Sequence, residues 1–106
     1  MAQFDVHRNP GANSDSIPFI VVVQSSIFDG YQRRVVVPLV RKAHLEKIGY
    51  ERFNPTFTIR STAVVLHPLE IVSIPVDKLG ARVGSLADHG DRIIGALDEL
   101  LCRVHY

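Results

Sequence analysis

The chain has 106 residues, 46% hydrophobic and 22% charged, with twelve Lys and Arg set against eleven Asp and Glu. This size suits one domain spanning residues 1–106 around one modest core. The net charge of +1 removes the basic excess typical of a nucleic-acid-binding domain.

In chain order, Gln3 to His7 alternates Phe4 and Val6 with polar neighbours, the pattern of a short half-buried strand. Arg8 to Ser16 holds Pro10-Gly11 among short polar residues and reads as a loop, long for a hairpin. Ile17–Val23 and Arg34–Val40 are β-branched runs too short for typical helices, and so central strands. Between them Gln24–Tyr31 forms a turn carrying Ile27 and Phe28. Pro38 lacks a donor and marks a bulge or an edge position. Leu45 and Ile48 suit one face of a short helix that Gly49 ends. Thr56–Ile59 and Ala63–Leu66 form a hairpin turning near Arg60–Thr62, and Ile71–Val76 is a further strand. Gly80 and Gly84 suit two tight bends.

From Asp88 the period changes. Ile93, Leu97, Leu100 and Val104 recur at steps of four, three and four, which is one apolar helix stripe. Asp88 suits the N-cap and Asp91 the first turn. Gly90 and Gly95 each weaken a helix by roughly 1 kcal/mol relative to Ala, so packing must hold it against the sheet or a partner chain. The fold expected is mainly β with a C-terminal α-helix, a small barrel or twisted antiparallel sheet.

No catalytic constellation emerges. The five histidines are scattered without the i, i+4 spacing of a metal pair, and no Walker, GxGxxG or GxSxG pattern occurs. Cys102 stands alone, which excludes an internal disulfide and a cysteine-based zinc cluster, and it reads as a small apolar filler. Arg33–Arg34 reads as an edge guard or salt-bridge donor. No apolar run approaches the ~20 residues of a membrane helix. The N-terminal residues lack a signal-peptide pattern. A cytoplasmic binding module without cofactor or metal is therefore expected rather than an enzyme.

Some residues carry more than their physics. Gln3-Phe4-x-Val6, the block Val21-Val22-Val23-Gln24-Ser25-Ser26-Ile27-Phe28-Asp29, and Arg33-Arg34-Val35-Val36-Val37-Pro38-Leu39 resemble the CcdB toxins of bacterial toxin–antitoxin modules. So do Ser73-Ile74-Pro75-Val76 with Leu79-Gly80, and the closing Leu86, Asp91, Ile93, Ala96 and Leu97. The resemblance implies the SH3-like barrel shared by CcdB and MazF toxins, assembled as a homodimer through the stripe Ile93, Leu97, Leu100 and Val104. It implies inhibition of DNA gyrase by binding its A subunit and trapping cleaved DNA. It also implies neutralisation by a CcdA-like antitoxin, and repression of the operon with the antitoxin contacting operator DNA. By register the gyrase-facing residues are Ser25, Ile27, Phe28, Asp98, Cys102 and Val104. The antitoxin-facing loop holds Arg8, Pro10, Asn13 and Asp15.

One departure is plain. Gyrase-poisoning members end in Trp-Gly-Ile, where this chain places Cys102, Arg103 and Val104, and it contains no Trp. Asp98 stands where Asn is usual, and Tyr106 is the substitute aromatic anchor. The alternatives are a family member that has lost gyrase action and binds only an antitoxin or another target, and a MazF-type endoribonuclease using Arg33 or Arg34.

Overall fold

The computed structural model describes residues 2–102. Seven strands run β1 (Asp5–Arg8), β2 (Phe19–Val22), β3 (Arg33–Arg41), β4 (Thr56–Ile59), β5 (Thr62–Leu66), β6 (Val72–Pro75) and β7 (Arg82–Ser85). One helix, α1 (Gly90–Leu101), follows. Every pairing is antiparallel, in the order β4-β5-β3-β2-β1-β7, with β6 also paired to β3. The sheet curls into a half-barrel closed by α1.

β3 is the spine. One edge pairs with β2 from Phe19↔Leu39 to Val22↔Val36. The other edge is shared, with Arg33–Val36 on β6 and Leu39–Arg41 on β5. Pro38 lies at the change of partner. Its carbonyl accepts from His67 N–H on that shared edge. Backbone N–H and C=O of one strand residue point to the same side. The donor that proline lacks would therefore face the gap between β6 and β5, where no ladder bond is lost.

The continuous apolar runs follow from burial on both faces. Phe19, Val21, Val23, Val37 and Leu39 join Val6, Phe57, Val64, Leu66, Ile93 and Ala96 in the main core under α1. Ile20, Val22 and Val36 point the other way, into a smaller cluster with Ile74 and Leu79.

Four sequence readings are corrected. The 41–52 stretch holds a 3-10 turn, Lys42–His44, and the start of a further turn at residue 51, and no helix through Leu45 and Ile48. β1 starts at Asp5 rather than Gln3, because Phe4 takes a positive φ of 71°. Gly80 and Gly84 do not form two bends. Gly84 is a β7 residue opposite Val6, and Gly80 lets the chain approach β1, since a Cβ there would stand 2.5 Å from the Arg8 carbonyl oxygen. Asp88 is not the N-cap, because it lies in a 3-10 turn, Ala87–His89, and α1 begins at Gly90.

Candidate functional site

The connection from β2 to β3 carries three exposed large apolar residues, among them Ile27, the most exposed of the described residues of that kind. Ser26–Phe28 form a single 3-10 turn, and the Ser25 hydroxyl caps it by accepting from Ile27 N–H at 3.4 Å. Ile27 is 81% exposed and Phe28 46%. Tyr31 is also exposed and meets Phe28 edge-on, with ring centroids 6.1 Å apart. Sequence reading did not single out Tyr31. Its signal was an aromatic directly after Asp29-Gly30, in a segment otherwise read as a turn.

Arg34 is not an edge guard. It is buried, and its guanidinium donates to the carbonyls of Tyr31, Arg33 and Asp29 at 2.6–2.9 Å. Arg33 donates through Nε and Nη2 to the Ser73 hydroxyl and carbonyl, at 2.8 and 2.7 Å. Both guanidiniums are hydrogen-bonded within the fold.

The second group of expected residues lies on α1. Ile93 is fully buried in the main core, so it does not belong to a stripe facing a partner. Leu97 and Leu100 are half-buried. The outward apolar stripe is offset by one residue, about 100° around the helix. Ile94, Leu97 and Leu101, with Asp98 and Cys102, line a shallow groove of about 170 Å³. Ile94 is 46% and Leu101 71% exposed. The Cys102 thiol is exposed, and a hydrogen bond to the Asp98 carboxylate, aided by slight desolvation and by the carboxylate's charge, pushes its pKa up. Val104 and Tyr106 lie outside the described residues.

The two groups stand at different ends of α1. Gln3 N–H donates to the Ser26 hydroxyl at 3.3 Å, and the neighbouring Phe4 ring lies against Gly90 at the helix start. Asp98 and Cys102 occupy the last turn and the C-cap, at 1.5 Å of rise per residue about 12–18 Å further along the axis. Within the chain the fold brings Ser25, Ile27 and Phe28 together, and Asp98 with Cys102, on separate patches.

The loop of residues 9–18 is organised at its base. Asn9 Nδ2 donates to Ile17 O at 2.8 Å, Gly11 N–H to Asn9 Oδ1 at 2.9 Å, and Arg41 Nε to Asp15 O at 2.9 Å. Arg8, Pro10, Asn13 and Asp15 are exposed. Beside them, Pro10, Ile17, Ile20, Pro38, Val72 and Ile74 line an apolar groove of about 230 Å³ on the second sheet face.

A separate clasp docks residues 50–56 to α1. Arg92 pairs with Glu51 at 2.6 Å, donates to Thr56 O at 3.0 Å, and stacks 4.5 Å over the Phe57 ring. Arg52 reaches Glu99 at 3.3 Å, and the Tyr50 hydroxyl donates to the same carboxylate. These charges satisfy one another. Among the described residues there is no group of three or more His, Cys, Asp or Glu side chains that could hold a metal ion.

The family described as CcdB protein matches residues 3–102, nearly the whole chain. The chain belongs to the CcdB family. No curated protein gives a significant match to it. Family membership makes it a toxin of the CcdB type from a toxin–antitoxin pair. Among the described residues no helix is long and apolar enough to cross a membrane.

Proposed function

We propose that this CcdB-family toxin acts by binding, as a homodimer, to the A subunit of DNA gyrase, and that a CcdA-like antitoxin neutralises it. The carrying observation is the exposure of Ile27 and Phe28 on a turn capped by Ser25 and braced from behind by Arg34. Apolar side chains on a rigid support are the usual anchors of protein interfaces. The outward stripe Ile94, Leu97 and Leu101 supports a two-fold assembly through α1. Such an assembly is what would let the last turn of one helix join a partner-facing surface with a turn from its neighbour. The apolar groove beside Pro10 and Ile17 suits a disordered apolar antitoxin tail that folds on contact. Repression of the operon then follows from the complex, with the antitoxin making the DNA contacts.

Cys102 and Arg103 in place of Trp-Gly weaken the gyrase contact, because a thiol buries far less area than an indole and Arg103 adds a charge to desolvate. The second reading, a family member that binds only an antitoxin or another target, is favoured by this one departure.

Supercoiling by purified gyrase separates the two. A variant carrying Cys102→Trp, Arg103→Gly and Val104→Ile, ending at residue 104, is expected to inhibit more strongly than the native chain. Native inhibition that survives Tyr106→Ala would put the anchor elsewhere. Absence of inhibition by both folded dimers would discard gyrase as the target. Deleting Pro10–Asp15 is expected to weaken antitoxin binding in calorimetry while leaving the fold intact.

A further inference from the structure

Residues 23–32 connect β2 to β3, well beyond the two to five residues of an ordinary hairpin loop. Two side chains behind this connection collect its carbonyls. Gln24 Nε2 donates to Phe28 O and Arg33 O, each at 3.2 Å, while its Oε1 accepts from Val35 N–H at 3.0 Å. Arg34 takes Asp29 O, Tyr31 O and, with Gln24, Arg33 O. Its Nε lies 3.8 Å from Asp29 Oδ1, and the residue is 4% exposed. Four carbonyls from Phe28 to Arg33 are thus held by two side chains. A buried guanidinium is costly unless its donors are used, and here Nη1 and Nη2 are used on a surface loop rather than on the core, while Nε makes no hydrogen bond.

Ile27, Phe28 and Tyr31 of the loop are exposed. Phe28 and Tyr31, with Gln24, Arg33 and Val35, line a shallow depression of about 370 Å³, and Ile27 projects beside it. We infer that Gln24 and Arg34 are positioning residues that lock the β2–β3 connection in its docking conformation before any partner arrives, and that Tyr31 extends the docking platform beyond Ile27 and Phe28. Ordering a loop on binding costs affinity, and a loop ordered beforehand avoids that cost. The inference rests on the gyrase reading only for the identity of the partner. The rigidity belongs to the free chain.

Amide exchange in the free protein reads the lock directly, through the N–H groups of Phe28, Asp29 and Tyr31, which are bonded to Ser25 O, Ser26 O and Phe28 O. Gln24→Ala, at a half-buried position, is expected to speed exchange at these three amides about tenfold, with β2 amides and the unfolding temperature nearly unchanged. Arg34→Lys keeps the charge but loses the planar fork, and is expected to do the same. Calorimetry against the gyrase A subunit is expected to show about tenfold weaker binding for Gln24→Ala, with the loss in the entropy. Tyr31→Ala should weaken binding without changing exchange, and Ile27→Asp should abolish binding, again with exchange unchanged. Unaltered exchange in Gln24→Ala overturns the lock. So does a loosened loop with native affinity when Ile27→Asp still abolishes binding. Native affinity in Tyr31→Ala overturns the extended platform. If the native chain does not bind gyrase, the gyrase reading falls, and exchange in Gln24→Ala alone decides the lock. Should Arg34→Lys fail to fold, Gln24→Ala still decides.

Discussion

Gly90 and Gly95 look alike in sequence, both helix weakeners. Their surroundings separate them. A Cβ on Gly90 would stand 2.6 Å from Phe4 Cε2, and Phe4 is held by its positive φ and by packing on the main core. A Cβ on Gly95 meets only the Arg52 guanidinium, at 3.8–3.9 Å. Gly90→Ala is therefore expected to destabilise by about 1–3 kcal/mol through overpacking. Gly95→Ala should stabilise by roughly 0.5–1 kcal/mol through helix propensity. Denaturant unfolding of the two variants checks the opposite signs. Cys102 gives a second test. Its hydrogen bond to the Asp98 carboxylate favours the protonated thiol, so the folded-state pKa is raised and less thiolate exists at any pH below it. Alkylation of native protein should be slower near pH 8 than that of a free thiol, with its half-maximum at higher pH. Asp98→Asn removes the negative acceptor and should move the profile down. A profile that does not respond to Asp98→Asn would refute the contact.

The β4–β5 hairpin was legible because its turn is local. Ile59↔Thr62 closes a two-residue loop, and Arg60 and Ser61 both take positive φ, 48° and 66°. That pattern suits Asn-Gly far better than Arg-Ser. Arg60→Asn with Ser61→Gly is expected to raise stability by about 1 kcal/mol, read as a higher denaturant midpoint at unchanged m-value. No such local signal marks β7. Arg82-Val83-Gly84-Ser85 has one strong strand former, and it becomes a strand because β1 offers it an edge and because Arg82 pairs with the buried Asp5 carboxylate at 3.1 Å. The helix was legible in type but not in rotation. Ile93 and Ala96 point into the core, Ile94 and Leu101 outward, and only the sheet's position beneath α1 decides between neighbouring stripes of similar hydropathy.

For the assembled molecule, the outward stripe of α1 makes a defined demand. If α1 carries the two-fold, the native chain should sediment as a dimer of about twice 11.8 kDa at micromolar concentration. Leu101→Asp, at a side chain that supports nothing in the core, should sediment as a folded monomer with an unchanged circular dichroism spectrum. A monomeric native chain would refute the assembly. The amino-acid sequence by itself determined the β-rich class, the closing helix, the two central strands and the family, since each rests on side-chain period or on a block of adjacent residues. Only the tertiary structure decided that Arg34 is buried behind a surface turn, that Gly80 and Gly84 serve β1 and β7 rather than bends, and that the exposed helix stripe runs through Ile94 and Leu101. These depend on contacts between segments far apart in the chain, such as Asp5 with Arg82 or Phe4 with Gly90. Local periodicity reports that a face is apolar; what covers it is settled by how the sheet closes.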